Sequence, residues 1–560
     1  MNSQKFLVYV LSIFCLTIAG CSEIKTSVAD YRIIPLPQSI ELTDSTNSFR
    51  LTDGTNVIYP AGYTALESTA RIFSDNIEQL VGLKLKLNDT PASGKAIILH
   101  NNLTDSCLEA YHITICPDSI IVSGASDAGV FYGLQTLCKS ITPAMGQFKT
   151  DVLFPTGEIY DYPIYSYRGV LLDASRHFFA PDSVKMFIDM IALHNVNHFH
   201  WHLTDDQGWR VEIKSHPELA EKGQWRSGTV VGAVKEGDEA HLNVYDSIPY
   251  GGYYTQAQVR DIVKYAADRH IIVIPEIDMP GHMQAALATY PELGCTGGPY
   301  EVWRRWGVSE DVLCAGNDSV YKFIDDVLEE IVSLFPGEYV HIGGDECPKV
   351  RWESCPKCQA KIKALGLTSD DHSSAEQKLQ TYLMAHAVEL LKRHDRKVIG
   401  WNEMLEGGLP DSAVVMSWTG IDGAVKAARL GHDAILTPCD YCYFDFVQAN
   451  QSTEPQGAHW GHPITISDVY NFNPISTDLN EIELKHIIGV QANLWSEYIP
   501  TMSHAQYMTL PRLAALSEVQ WCAQNNKSYS DFCKRLPSLI RHYKLFGYNY
   551  RYNPKDFSEL

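Results

Sequence analysis

Between about residue 164 and residue 500, short apolar runs alternate with amphipathic stretches eight times, and this alternation restricts the fold more than any other feature. The candidate strands are 169–173 (GVLLD), 197–203 (NHFHWHL), 271–277 (IIVIPEI), 339–343 (YVHIG), 397–401 (KVIGW), 413–418 (AVVMSW), 433–437 (DAILT) and 489–495 (GVQANLW). Helical patterns at 182–193, 255–269, 318–334, 375–394 and 421–430 fall between them. Strand–helix repeats of this kind build a parallel sheet. Eight of them over ~360 residues fit a (β/α)8 TIM barrel with long insertions.

The first 160 residues read differently. All 11 tryptophans lie between Trp201 and Trp521. Residues 22–160 mix short strands (96–99, 112–115, 119–123) with helices at 65–80 and 127–139, the second placing Val130, Leu134 and Leu137 on one face. The expected class is therefore α/β, a TIM barrel preceded by a small α+β domain. The expected divisions are 1–21, 22–160, a catalytic barrel over 161–525, and a helical tail over 526–560 that packs on the barrel.

Barrels of this class carry their chemistry at the C-terminal ends of the strands. Those ends supply Asp173 and Arg176; Asp205, Asp206 and Trp209; Glu276, Asp278 and His282; and Gly343-Gly344-Asp345-Glu346. The later ends supply Trp401-Asn402-Glu403, Trp418, Tyr443 and Asp445, and Trp495-Ser496-Glu497. Acids and aromatics gathered at one rim suit a sugar, because indole faces cover its C–H faces and carboxylates accept from its hydroxyls. Plainer readings stand beside this one. Trp401 and Trp418 also fit as barrel fillers, and Asp173 as a helix cap or a partner of Arg176. His198, His200 and His202 share one face of strand two, which suits a metal site or, preferably, structural neutral histidines with backbone partners. Asp345 and Glu346 are adjacent, so they cannot readily flank a glycosidic bond as two catalytic carboxyls do. One can be the acid while the other orients a nucleophile belonging to the substrate; Glu403 or Glu497 as a distant partner is the alternative.

Lys plus Arg is 45 and Asp plus Glu is 67, a net charge of −22 that disfavours nucleic acid as a partner. Residues 1–21 have Lys5 ahead of a short apolar run and read as a secretory signal. The ending Ile18-Ala19-Gly20-Cys21 resembles a bacterial lipobox, which implies cleavage before Cys21 and acylation of its thiol; plain secretion is the other reading. The expectation is an exported lipoprotein, facing the periplasm or the cell exterior at the outer membrane, with a lipid anchor as its membrane contact. Twelve cysteines remain besides Cys15 and Cys21. Cys295 and Cys314 flank a Gly- and Trp-rich loop and form a candidate disulfide. Cys347, Cys355 and Cys358 lie close together, and Cys355-Pro-Lys-Cys358 has metal-ligand spacing. A structural zinc site needs four ligands, so a disulfide or buried thiols are preferred for it.

The segments RGVLLDASRHF (168–178), HFHWHLTDDQGWR (198–210), IPEIDMPGH (274–282), HIGGDE (341–346), WNE (401–403) and LWSE (494–497) resemble the β-N-acetylhexosaminidases of glycoside hydrolase family 20. The resemblance implies an exo-acting, retaining enzyme that removes terminal GlcNAc or GalNAc by substrate-assisted catalysis, with no metal or cofactor. It implies Glu346 as general acid and base, with a pKa raised by burial and by Asp345. Asp345 would orient the substrate acetamide, Tyr443 would donate to its carbonyl oxygen, and Trp401, Trp418 and Trp495 would wall its pocket. Arg176, Glu497 and Asp445 would bind outer hydroxyls, and Asp205 and His282 would stand near the acid as polar partners. The expected partner is a glycan ending in β-linked N-acetylhexosamine. Two rivals are a metal-dependent barrel hydrolase using the strand-two histidines with Asp205, and a glycan-binding lipoprotein without turnover.

Overall fold

The computed structural model describes residues 25–144, 149–232, 244–449, 452, 454–458 and 460–553. Eight parallel strands close into a barrel: Tyr167–Asp173, His198–His202, Ile272–Glu276, Tyr339–His341, Lys397–Trp401, Val414–Ser417, Ala434–Leu436 and Ile487–Leu494. The eighth pairs back onto the first, Gly489 opposite Tyr167. The eight expected runs are these strands. Register brings their ends level, with His202 opposite both Asp173 and Glu276, and Glu276 opposite His341. That alignment gathers the acids and aromatics at one rim.

The pleat sends alternate residues inward, and the barrel axis fills in layers. Tyr167 stacks on His198 at 4.2 Å at the bottom. His200 and His341 meet at 4.6 Å in the middle, where the Gln491 amide donates to Nδ1 of His200 over 3.0 Å. His202 sits above them, 2.6 Å from Glu276 and 2.9 Å from Asp205. Each strand-two histidine is buried with side-chain partners in place of the backbone partners expected of a neutral ring, and despite burial Glu276 and Asp205 push the His202 pKa up to about 10.

The small domain is a mixed sheet of Lys25–Val28, Ser39–Leu51, Asn56–Ile58, Lys86–Asn88, Ala96–His100, Tyr111–Ile115, Ser119–Gly124 and Thr150–Asp161. Helix Thr64–Val81 covers it with Leu66, Ala70, Phe73, Ile77 and Leu80, an i, i+3/i+4 stripe. Helix Asp127–Ser140 is buried on almost every side because it lies between the sheet and the barrel. Its Phe131 ring meets His270 at 5.2 Å, and the Lys139 ammonium donates to Asn195 over 2.8 Å. Arg168 completes the joint with two bonds to Glu109, 2.7 and 2.9 Å long. Arg168, Asn195 and His270 all belong to the N-terminal ends of barrel strands. The small domain therefore packs on the bottom beside strands one to three, opposite the acidic rim.

Helix Tyr529–Phe546 follows the barrel, and its Arg535 pairs with Glu518 at 2.6 Å. No helix among the described residues is long and apolar enough to cross a membrane. Cys21 lies outside the described residues. The expected Cys295–Cys314 disulfide is not formed: both are free thiols, gathered with Cys355 and Cys358 into one cluster.

Candidate active site

The chain leaves the fourth barrel strand through a tight turn. Gly343 and Gly344 have φ of +67° and +101°. A Cβ on Gly343 would stand 1.6 Å from the Asp278 carboxylate, so only glycine fits there. Glu346 at +40° and His282 at +51° also occupy the left-handed region, which costs a non-glycine residue about 1–3 kcal/mol. Strain of this kind persists where surrounding contacts fix the chain, and here it aims both side chains at one another.

His282 is the hub of the charges. Its Nδ1 lies 3.2 Å from Asp205 and 3.4 Å from Asp206; its Nε2 lies 3.7 Å from Asp345 and 3.6 Å from Glu346. Burial is the largest single influence and would strip its proton, but the Asp205 charge and the contacts with Asp205, Asp206 and Glu346 together outweigh burial and raise the imidazole pKa well above its ordinary value. Asp345 is pushed up to about 6 by burial, against the pull of His282. Glu346 departs from expectation. Burial pushes its carboxyl up, yet His282, 3.6 Å away, and the Arg176 charge together outweigh burial and leave it below the ordinary value. Its side chain is 44% exposed in the open site, so desolvation acts on it only in part.

Arg176 is fixed from several sides: 2.8 Å from Asp205, 3.2 Å from Asp173, 4.0 Å from Glu497, and 5.1 Å above the Trp495 ring. Of the plain readings of Asp173, the pairing with Arg176 holds and the helix cap does not, because the next helix, Pro181–Ala192, starts after Ala180 with no side-chain cap. Asp173 accepts from the backbone N–H of Ser175 and Arg176, over 2.8 and 3.1 Å, and pairs with the Arg176 guanidinium.

These residues face a cavity of about 480 Å³. Asp345, Glu346, Arg176, Asp445 and Glu497 supply its polar wall, and Trp401, Trp418, Tyr443 and Trp495 its aromatic one. Asp205 and His282, grouped from sequence with the substrate-contacting residues, lie behind this wall, against Arg176, Asp345 and Glu346. Trp401 donates to Glu276 over 2.9 Å and is both core filler and cavity wall. Trp418 donates to Glu403 over 3.0 Å, and burial lifts the Glu403 carboxyl to about 8. Glu403 thus holds the indole from behind rather than opposing Glu346 across the cavity. Tyr443 follows barrel strand seven, and its loop is pinned by Arg512, which donates to the carbonyls of Phe444 and Phe446. Burial keeps the Tyr443 hydroxyl neutral and able to donate.

Trp306, Val308, Trp460 and Tyr498 also line the cavity and were not singled out from sequence. The first three lie on long loops, beyond the strand-end positions; the tryptophans beside glycines in 303–307 and 460–461 were their only signal. Oδ1 of Asp345 and Oδ1 of Asp445 are buried in the wall with no protein partner among the described residues. Unpaired acceptors beside indole faces suit a ligand that carries both N–H or O–H groups and apolar faces.

Residues 165–524 match the model of the glycosyl hydrolase family 20 catalytic domain, and residues 30–162 match domain 2 of that family. A β-hexosaminidase of Porphyromonas gingivalis is 40% identical over 98% of this chain and 68% of its own. The exo-β-N-acetylglucosaminidase of Vibrio harveyi, solved with N-acetylglucosamine, superposes with a TM-score of 0.80 at 32% identity, covering 95% of this chain and 80% of that one. The N-acetyl-β-hexosaminidase of Streptomyces plicatus, solved with thio-NAglucal, gives 0.77 at 29% identity, covering 94% and 97%.

Proposed function

The chain belongs to glycosyl hydrolase family 20, and from that premise we propose that it works from the non-reducing end with retention, using the substrate's own acetamido group as nucleophile. It is a glycoside hydrolase of the β-N-acetylhexosaminidase type, and its reaction is hydrolysis of terminal N-acetylglucosamine from glycans. The observation that carries the finer reading is the unpartnered Asp345 Oδ1, buried in a wall that includes three indoles and adjacent in sequence to Glu346. Two neighbouring carboxyls on one turn cannot stand on opposite faces of a sugar, so they divide the work.

Glu346 gives its proton to the glycosidic oxygen as that bond breaks. The acetamide carbonyl oxygen attacks the anomeric carbon and forms a bicyclic oxazolinium ion. Asp345 accepts from the acetamide N–H and stabilises the positive charge; Tyr443 donates to the carbonyl oxygen and orients it. Glu346, now a base, takes a proton from water, which attacks the anomeric carbon and restores the original configuration. In the open site His282 keeps Glu346 ionised; a bound sugar covers the carboxylate, and desolvation raises its proton affinity towards that of an acid. Arg176, Asp445 and Glu497 close one end of the cavity, which supports removal of single terminal sugars.

The test uses the fragment from residue 22 with 4-nitrophenyl N-acetyl-β-glucosaminide and its trifluoroacetamido analogue. Fluorine weakens the carbonyl nucleophile, so the analogue should turn over about 10²-fold or more slowly, and the first product seen by NMR should be the β-anomer. Equal rates on both substrates, or an α-anomer first, would sink the acetamide mechanism. We also propose export as a lipoprotein acylated at Cys21, on the strength of residues 1–21. Labelled fatty acid should enter the wild type and not Cys21→Ser; label in neither sinks that proposal.

A further inference from the structure

Four cysteines from two different loops converge beside the catalytic turn. Cys295 and Cys314 lie in the long loop after barrel strand three; Cys355 and Cys358 follow barrel strand four and open the helix Pro356–Leu365. The sulfurs stand 3.8 Å apart for Cys295–Cys358, 3.7 Å for Cys314–Cys355 and 3.7 Å for Cys314–Cys358. All four lie within 4.8 Å of one another.

Those distances discriminate. A disulfide needs about 2.05 Å between sulfurs, so these pairs are not bonded. A tetrahedral zinc with Zn–S bonds of about 2.3 Å sets its sulfurs about 3.8 Å apart. A four-iron, four-sulfur cluster attaches each cysteine to a different iron and a two-iron, two-sulfur cluster two to each, and both spread some of the cysteine sulfurs further than the 4.8 Å found here. The surroundings suit thiolates too. Cys355 caps a helix and Cys358 lies in its first turn, where the helix dipole favours negative charge. The Gly316 amide hydrogen-bonds the sulfurs of both Cys314 and Cys358. Gly316 itself allows the two loops to meet, since a Cβ there would come within 2.2 Å of the Lys357 carbonyl carbon.

We propose that Cys295, Cys314, Cys355 and Cys358 bind one zinc ion as a tetrathiolate that clamps the loop after strand three to the loop after strand four. The first loop carries His282; the second carries Asp345 and Glu346. Zinc displaces four protons from the thiols and forms four Zn–S bonds, with no change in oxidation state. The clamp works alongside a second tie, the buried Trp352 indole, which donates to the Leu313 carbonyl over 2.9 Å. With three of its four sulfurs buried and no open coordination position, the ion has a structural rather than a catalytic place. The two cysteines absent from the CxxC motif are supplied by the very pair that sequence suggested as a disulfide.

The test is metal analysis of the intact mature chain, grown with zinc and passed through gel filtration. The expected result is about one zinc per chain, X-ray absorption with four sulfurs at about 2.3 Å, and four thiols that react with alkylating agent only after denaturation with chelator. Cys358→Ser should lose zinc about five-fold or more while keeping its circular dichroism; if that variant fails to fold, the wild-type absorption data still decide. Protein with less than about a tenth of an equivalent of zinc overturns the proposal, as do peptides showing these cysteines in disulfides, or iron in place of zinc. These readouts do not depend on turnover, so the clamp and the glycosidase mechanism fail separately.

Discussion

His282→Asn removes one positive charge from between two carboxyls, and the size of the effect can be worked from distance. The imidazole lies 3.6 Å from Glu346 and 3.7 Å from Asp345. A unit charge at that range is worth about 1.2 kcal/mol at a dielectric of about 80 and about 4.6 kcal/mol at about 20. Dividing by about 1.36 kcal/mol per pH unit gives about 0.8 to 3.4 units. Glu346, 44% exposed, belongs near the low end, and Asp345, 13% exposed, higher up. The sign is the same for both: losing the cation makes each carboxyl harder to ionise. The active form needs one proton on the pair, so kcat/KM follows a bell whose limbs belong to the pair jointly. Both limbs should therefore move to higher pH, by about one unit or more. The assay is kcat/KM on 4-nitrophenyl N-acetyl-β-glucosaminide from acid to neutral pH, with circular dichroism to show a folded variant. Limbs fixed to within about 0.3 unit, in a folded variant with lower activity, would refute the charge argument and leave His282 a purely steric role.

Three further outcomes follow from the geometry. Gly343→Ala forces a Cβ onto the Asp278 carboxylate at a left-handed residue, and turnover should fall by about 10²-fold or more with little change in far-ultraviolet dichroism. Arg168→Met leaves Glu109, 18% exposed and still accepting from the Asn197 amide, without its cation, so thermal unfolding should report a loss of up to about 3 kcal/mol with KM unchanged, and adding Glu109→Gln should recover part of it. Glu403, raised to about 8 by burial, favours the folded state fully below its ordinary pKa, and that contribution is lost as pH rises towards 8. Glu403→Gln should therefore flatten the fall in melting temperature between about pH 4.5 and 8; parallel curves for the two proteins would contradict the assignment.

The barrel was legible because its strands are continuous apolar runs, buried on both sides, and because their ends repeat acids and aromatics in step. Asp345 and Glu346 stood out for the same reason: two glycines ahead of them mark a turn that few residues can make. The strands Ser39–Leu51 and Thr150–Asp161 were missed because SIELTDSTNSFRL is half polar, and an antiparallel partner rather than hydrophobicity holds it in place. The depressed Glu346 carboxyl was not legible either. It depends on His282, which reaches it from another strand end, and on exposure that only coordinates give. The cysteine quartet escaped because loop length in sequence says nothing of where a loop returns. Trp306 and Trp460 were hidden likewise, on loops that fold back over the cavity.

The small domain meets the barrel at Arg168, Asn195 and His270, at the opposite end of the strands from the cavity. Coupling to a solid support through that domain, for instance at the half-exposed Glu78 on helix Thr64–Val81, therefore burdens the end of the barrel away from the cavity, and the immobilised enzyme should keep the turnover it has in free solution.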